Sequence, residues 1–351
     1  MLLKITAAEA LNQLEQFSAV IDARSESEFA LDCLPGALNW PVLTDAERIV
    51  VGTEYAQVAP FTAKKRGAAL VARNIATHIE REVMPLAKDW KPLIYCWRGG
   101  TRSGSLALVL DQIGFRVHVL EGGYREYRRA VIAALEELPA TLHFRVICGT
   151  TGSGKSRLLQ VLRARGAQVL DLEALANHRG SVLGLVPGSV QPGQKKFESQ
   201  VWDTLRGFDA SRPVFVESES KKVGDLRVPL WLVERMRQSP CIRLELPLDA
   251  RVRLLIGEYH FFVKDTAAFC GRLEALRHSR GHEVVNGWQE AARAGRTAEV
   301  VQDLLVSHYD PNYIQSMKRN FSGVSALHAD LAWDGSVASL EAAAALAIAA
   351  G

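Results

Sequence analysis

At 351 residues the chain is long enough for two domains that each bury a core, and 48% hydrophobic with 23% charged residues is ordinary for a soluble globular protein. A net charge of +3 at pH 7 is too small to argue for a nucleic-acid partner by itself, so local clusters must carry that case. Five scattered cysteines with no C-x-x-C pair suggest neither a disulfide framework nor a zinc site.

In chain order, residues 6–16 predict a short helix and SAVIDAR (18–24) a buried strand. The Pro-Gly turn in DCLPGALNWPV precedes another short strand. Thr44 followed by Glu47 marks a helix start, and a long amphipathic segment covers about 61–88. PLIYC (92–96) is a buried strand, 103–114 a helix closed by Gly114, 116–124 a strand with a glycine turn and 125–138 a helix that Pro139 should end. HFRVICG (143–149) opens a second alternating series: a helix at 155–165, strands at 167–172 and 213–218, a helix at 229–238, a strand at 241–247 and a helix from Asp249. Beyond that the chain reads as helical. The expected fold class is α/β, with parallel sheets flanked by helices in two domains, 1–139 and 140–351, the second with a helical C-terminal extension. MLLKITAAEALNQLEQF lacks a signal-peptide pattern, and LEAAAALAIAA is too short to span a bilayer, so the expected location is the cytoplasm, with no membrane partner.

GTTGSGKS fills the G-x-x-x-x-G-K-[ST] pattern with Gly149, Thr150, Thr151, Gly152, Ser153, Gly154, Lys155 and Ser156, between an apolar strand and a helix. Such a loop turns backbone N–H groups onto phosphate oxygens. Lys155 adds positive charge, Ser156 is a candidate Mg²⁺ ligand, and the helix dipole adds to both. Glu217 ends the PVFVE strand, with Glu219 two residues on, where P-loop proteins keep a carboxylate for metal or water. Asp171 is a second carboxylate for the same crevice, and Arg251 stands where a lid arginine would meet phosphate. The motif calls for phosphate or diphosphate and leaves open whether a nucleotide binds.

YCWRGGTRS (95–103) puts Cys96 at the carboxyl end of a predicted parallel strand, where α/β folds place ligands. The glycines, the following helix start, Arg98 and Arg102 are the surroundings that favour a thiolate, or a terminal sulfur or selenium carried on it as an anion. The other four cysteines lack such surroundings and read as packing residues.

VIDARSESEF, LPGALNWPV and YCWRGGTRS resemble the rhodanese fold, although Asp32 and Cys33 stand where the usual histidine precedes the Pro-Gly turn. A rhodanese-like domain followed by a P-loop NTPase-like domain, together with TDAERIVVGTEY, LEGGYREYR, LDLEALANHRGSVLG, QKKFES and SHYDPNY, resembles the tRNA 2-selenouridine synthase family from about residue 18 to about 320. The resemblance implies a transferase acting on 2-thiouridine at wobble position 34 of tRNAs for Lys, Glu and Gln. Geranyl diphosphate would first alkylate the sulfur, and selenium from selenophosphate would then replace the geranylthio group. It implies these co-substrates and possible Mg²⁺, with no organic prosthetic group. Cys96 would carry selenium as a perselenide or otherwise manage its delivery. His178, Arg179, Gly180 and Ser181 are implied to face the P-loop crevice or the tRNA. Tyr124, among basic residues 125–129, is a candidate stacking face for an unpaired base, as are Tyr127, Trp288 and Tyr313. A plain small-molecule sulfurtransferase with a regulatory P-loop domain is the alternative.

Overall fold

The computed structural model describes residues 2–179, 188, 190–260 and 264–351. They form two compact units: Met1–Leu135 with Pro192–Asp203, and Glu136–Gln191 with Thr204–Gly351.

The first unit carries β1 (Leu3–Ile5), β2 (Ala19–Asp22), β3 (Ala37–Asn39), β4 (Pro92–Tyr95) and β5 (His118–Leu120). They form one sheet in the order β1-β5-β4-β2-β3, with every pairing parallel. Its helices are α1 (Ala7–Asn12), α2 (Glu26–Leu31), α3 (Asp45–Gln57), α4 (Pro60–His78), α5 (Thr101–Ile113) and α6 (Tyr124–Thr141). The Thr44–Glu47 signal works as read: the Thr44 hydroxyl accepts from the Glu47 N–H, and the Glu47 carboxylate accepts from the Thr44 N–H. Gly114 closes α5 in the left-handed conformation. Ile21, Ile94, Leu106, Leu110 and Val117, all fully buried, centre the core.

The second unit carries β6 (His143–Cys148), β7 (Gln168–Leu170), β8 (Pro213–Glu217), a hairpin of β9 (Lys222–Val223) and β10 (Leu226–Arg227), β11 (Cys241–Glu245) and β12 (Ala329–Ala332). Its main sheet runs β12-β11-β6-β8-β7, again wholly parallel. The chain leaves β6 for β7, returns to insert β8, then crosses to β11 on the other side of β6. That reversal is a topological switch point, which places a ligand crevice at the carboxyl end of β6. Further helices are α7 (Lys155–Ala164), α8 (Leu172–Ala176), α9 (Gln194–Arg206), α10 (Leu230–Arg237) and α11 (Leu248–Glu258). The later helices His282–Arg293 and Thr297–Asp303 share a satellite core of Phe269, Leu273, Val285, Trp288 and Val300. Val337–Ala350 lays Leu340, Ala343, Ala344 and Ala347 into the same core as Leu158, Leu159 and Leu162 of α7.

Several expectations change. Pro139 stands inside α6, because in the last turn it forfeits one backbone bond without stopping the two residues that follow. The domain border expected at 139/140 therefore falls within that helix. The region past α11 is not wholly helical, since β12 returns to the sheet edge. Most of α9 (residues 194–203) lies with the first unit. There the Arg128 guanidinium donates to the Lys195 carbonyl (3.1 Å) and the Ser199 hydroxyl (3.0 Å), and it pairs with Glu198. The Ser199 hydroxyl in turn donates to Asp32 (3.0 Å). Among the described residues no helix is long and apolar enough to cross a membrane.

Arg128 is 8% exposed and pairs with Asp32 at 3.7 Å as well as with Glu198. Its replacement by Met should cost about 3 kcal/mol in denaturant unfolding, because two carboxylates are left without their cation. An unchanged midpoint would mean that the network does not hold α9 in place.

Candidate functional site

In the first unit Cys96 directly follows β4 and is 3% exposed. The Ser103 hydroxyl, in the first turn of α5, donates to its sulfur at 3.1 Å. The loop is pinned from the β5–α6 side: the Tyr124 N–H donates to the Cys96 carbonyl (2.8 Å) and the Arg125 N–H to the Trp97 carbonyl (3.2 Å). Gly123 permits this approach. Its φ is +60°, and a Cβ there would strike the Cys96 carbonyl and come within 2.5 Å of the Gly99 nitrogen.

The two arginines of the loop part company. Arg98 is exposed, whereas Arg102 is spent on Glu28, with bonds of 2.6 and 3.3 Å. Arg102 therefore fixes α5 against α2 rather than standing free for an anion. Beneath the loop Asp22 accepts from buried Arg24 and from the Tyr95 hydroxyl (2.6 Å). Arg24 also reaches the Asp32 carbonyl (2.6 Å) and lies 4.0 Å from the centre of the Tyr124 ring. Tyr124 is only 3% exposed, donates to Asp32 (2.8 Å) and stacks on Trp97. Burial removes Tyr124 from the candidate base-stacking faces; it is a core residue that positions the thiol loop. Burial likewise removes Tyr127 and Trp288 from the candidate stacking faces. Asp32, at the place of the missing histidine, joins this polar core, and burial pushes its carboxyl up. Burial likewise pushes the neighbouring Cys33 thiol up to about 11, against a thiolate role there.

In the second unit the loop 149–154 links β6 to α7. Gly154 takes φ +90°, and the Trp333 ring occupies the space a side chain would need. The Lys155 ammonium donates to the Gly149 carbonyl (2.7 Å) and lies 5.4 Å from the centre of the Tyr313 ring. Arg251 is buried, and its guanidinium is committed to the Thr151 carbonyl (2.9 and 2.7 Å) and the Asp310 carboxylate (2.9 and 2.6 Å). It braces the loop instead of offering a free donor to phosphate.

The acids differ from the sequence reading in one respect. Asp171 caps α8 by accepting from the Ala174 N–H (2.9 Å), and the carboxylate that reaches the Ser156 hydroxyl (2.9 Å) is Glu173. Glu173, Glu217 and Glu219 bring one oxygen each within 4.8 Å of one another. The Glu217 carboxylate accepts the Glu173 N–H (3.2 Å), and its second oxygen is buried with no partner. Burial, then neighbouring carboxylates, raise Glu217 well above the usual range; burial also raises Glu173, and it carries Glu219 to about 8, with Glu173 adding to the effect. Hard oxygen donors, one of them orphaned, fit a divalent ion such as Mg²⁺ held by Glu173, Glu217 and Glu219 beside Ser156.

His178 is buried, with its Nδ1 unpartnered among the described residues, and burial lowers its pKa. Arg179 donates to the Glu258 carbonyl (3.1 Å) and sits over the Tyr259 ring. Ser181, like Gly180, lies outside the described residues. Glu173 was the residue sequence reasoning missed. Its signal was present, a first-turn Glu two residues after a helix-capping Asp, but Asp171 drew the assignment.

The family profile described as "Rhodanese-like domain" matches residues 6–130, and the one described as "tRNA 2-selenouridine synthase AAA domain" matches residues 142–281. The tRNA 2-selenouridine synthase of Alcanivorax borkumensis is 31% identical over 332 residues, covering 86% of this chain and 90% of that protein. The tRNA 2-selenouridine synthase of Nitrosomonas europaea is 35% identical over 246 residues; this match covers 68% of the chain and 63% of the relative's length. A rhodanese-related protein from Thermoplasma volcanium of known structure is 17% identical, covering 36% of this chain and 92% of that one, with a TM-score of 0.25.

A carboxyl that keeps its proton in the fold loses stability for the fold as pH climbs from the ordinary value of 4.5 to about 8. In the absence of divalent ions Glu219→Gln should therefore raise Tm near pH 8 by a few degrees, on a scale of about 2–4 °C per kcal/mol, and match wild type near pH 5. Millimolar Mg²⁺ near pH 8 should stabilise wild type more than the variant. Scanning calorimetry checks all three, and equal Tm values throughout would show that Glu219 bears no such strain.

Proposed function

The chain belongs to the tRNA 2-selenouridine synthase family, and we propose that it converts 2-thiouridine at tRNA wobble position 34 to 2-selenouridine. Its substrates are the tRNAs for Lys, Glu and Gln, and it works in the cytoplasm. The observation that carries the reading is the presence, in one chain, of a thiol at a strand end and a lysine-bearing phosphate loop beside a carboxylate cluster.

The first stage is geranyl transfer. The thiocarbonyl sulfur attacks the allylic carbon of geranyl diphosphate, a C–S bond forms, and the C–O bond to diphosphate breaks. Negative charge grows on the departing oxygen, and Lys155 with the loop's N–H groups at 150–155 receives it. Glu173, Glu217 and Glu219 would repel an anion here unless protonated or bridged to it. Mg²⁺ held by them would supply that charge neutralisation. The product carries a neutral thiol leaving group in place of a poor thiocarbonyl sulfur.

The second stage replaces the geranylthio group with selenium derived from selenophosphate. Cys96 serves this stage, its sulfur within hydrogen-bonding reach of Ser103 and its loop fixed by Tyr124 and Gly123. Geranyl diphosphate and selenophosphate are co-substrates, and the reaction needs no organic prosthetic group.

Nucleoside mass spectrometry of 2-thiouridine tRNA incubated with protein, geranyl diphosphate and selenophosphate tests the assignment. Wild type should yield 2-selenouridine, Cys96→Ala should accumulate S-geranyl-2-thiouridine, and Lys155→Ala should leave 2-thiouridine unchanged. Unmodified uridine with wild-type protein, alongside thiosulfate-dependent sulfur transfer, would establish the small-molecule sulfurtransferase instead.

A further inference from the structure

The segment SHYDPNY contributes no group to the chemistry above, yet its last four residues form the first turn of helix Asp310–Asn320. We propose that this turn positions the phosphate loop, with Tyr313 and Asp310 as positioning residues for the anion bound there. The inference rests on the reading that the loop holds a diphosphate.

A glycine-rich loop is conformationally loose, and it binds an anion well only if its N–H groups already point the right way. Asp310 holds Arg251 through two contacts, and Arg251 holds the Thr151 carbonyl through two more. In a trans peptide the carbonyl and the next N–H point in opposite directions. Pinning the Thr151 carbonyl to one side therefore turns the Gly152 N–H to the other. The Trp333 indole does the same one step on, holding the Ser153 carbonyl (2.7 Å) and so orienting the Gly154 N–H.

Tyr313 sets where the cradle begins. Its hydroxyl accepts the Gly149 N–H (2.8 Å) and bonds the Ser218 hydroxyl (2.9 Å), tying the ends of β6 and β8 together. The first amide of the loop is thereby assigned to protein. The Tyr313 ring, 5.4 Å from the Lys155 ammonium, keeps that cation over the loop. One helical turn thus governs the start of the loop directly and its middle through Arg251.

The test compares wild type, Tyr313→Phe and Asp310→Asn by calorimetric affinity for inorganic diphosphate, amide hydrogen exchange of residues 149–156 and melting temperature. Each variant should bind diphosphate about five- to tenfold more weakly, the loss of one oriented hydrogen bond, and should exchange its loop amides faster while the rest of the unit keeps its protection. Asp310→Asn should also lower the melting temperature by a few degrees as the Arg251 pair is weakened, so it is faster exchange confined to residues 149–156 that separates positioning from general support of the fold. Wild-type affinity together with wild-type exchange in both variants would overturn the inference. If wild-type protein binds no diphosphate, the diphosphate reading fails and exchange alone decides: faster loop exchange in both variants sustains the positioning role, and unchanged exchange ends it.

Discussion

Both five-stranded sheets are wholly parallel, and the placing of the candidate site residues follows from that constraint. In a parallel sheet every strand ends on the same edge, so every strand-to-helix loop gathers there. In the first unit that edge collects Asp22, Cys96 and the Gly122-Gly123 turn, from β2, β4 and β5. In the second it collects the phosphate loop, Asp171 and Glu217, from β6, β7 and β8. Helix starts collect there too, and their free N–H groups make the edge receptive to anions. Each unit presents the same kind of edge.

The second edge is nonetheless rich in carboxylates, which is the tension in the site. Glu173 and Glu217 stand in a low-dielectric setting and resist ionising together, so burial and mutual repulsion hold protons on the cluster. Lys155 works the other way and favours the charged form of Glu173 and Glu219. Such a cluster is poised between a protonated state and one satisfied by a cation. That balance explains why Glu217 can sit fully buried with an oxygen unpartnered.

How much of this could be read from the sequence depended on whether the signal was local. The Thr44 cap, the Gly114 stop, the strands around Cys96 and the phosphate loop with its helix are encoded within a few residues and were legible. β1 and β12 were not, since three or four residues become a strand only by pairing with β5 and β11, distant in sequence. The placement of α9 with the first unit was equally hidden, because it rests on Arg128 meeting Glu198 and Ser199 about seventy residues away. At the sites the sequence names residue types but not the partners the fold brings to them. Arg102 and Arg251 look like anion binders in sequence, but each is consumed by a carboxylate, Glu28 and Asp310, that only the fold brings near. Tyr124 looks like a stacking face until burial is known.

The consumed arginines show how the two edges achieve order without crowding the ligand. An arginine left free at an anion site would bind strongly but would swing through many rotamers. Tied to a carboxylate, it becomes a rigid strut: Arg102 locks α5 against α2, and Arg251 locks the Thr151 peptide. The donors left for the ligand are then mostly backbone N–H groups, which cannot move away and carry only partial charge. An oxyanion gains more from fixed dipoles than from mobile cations that must first reorganise. In both units the arginines give the loops order rather than free charge.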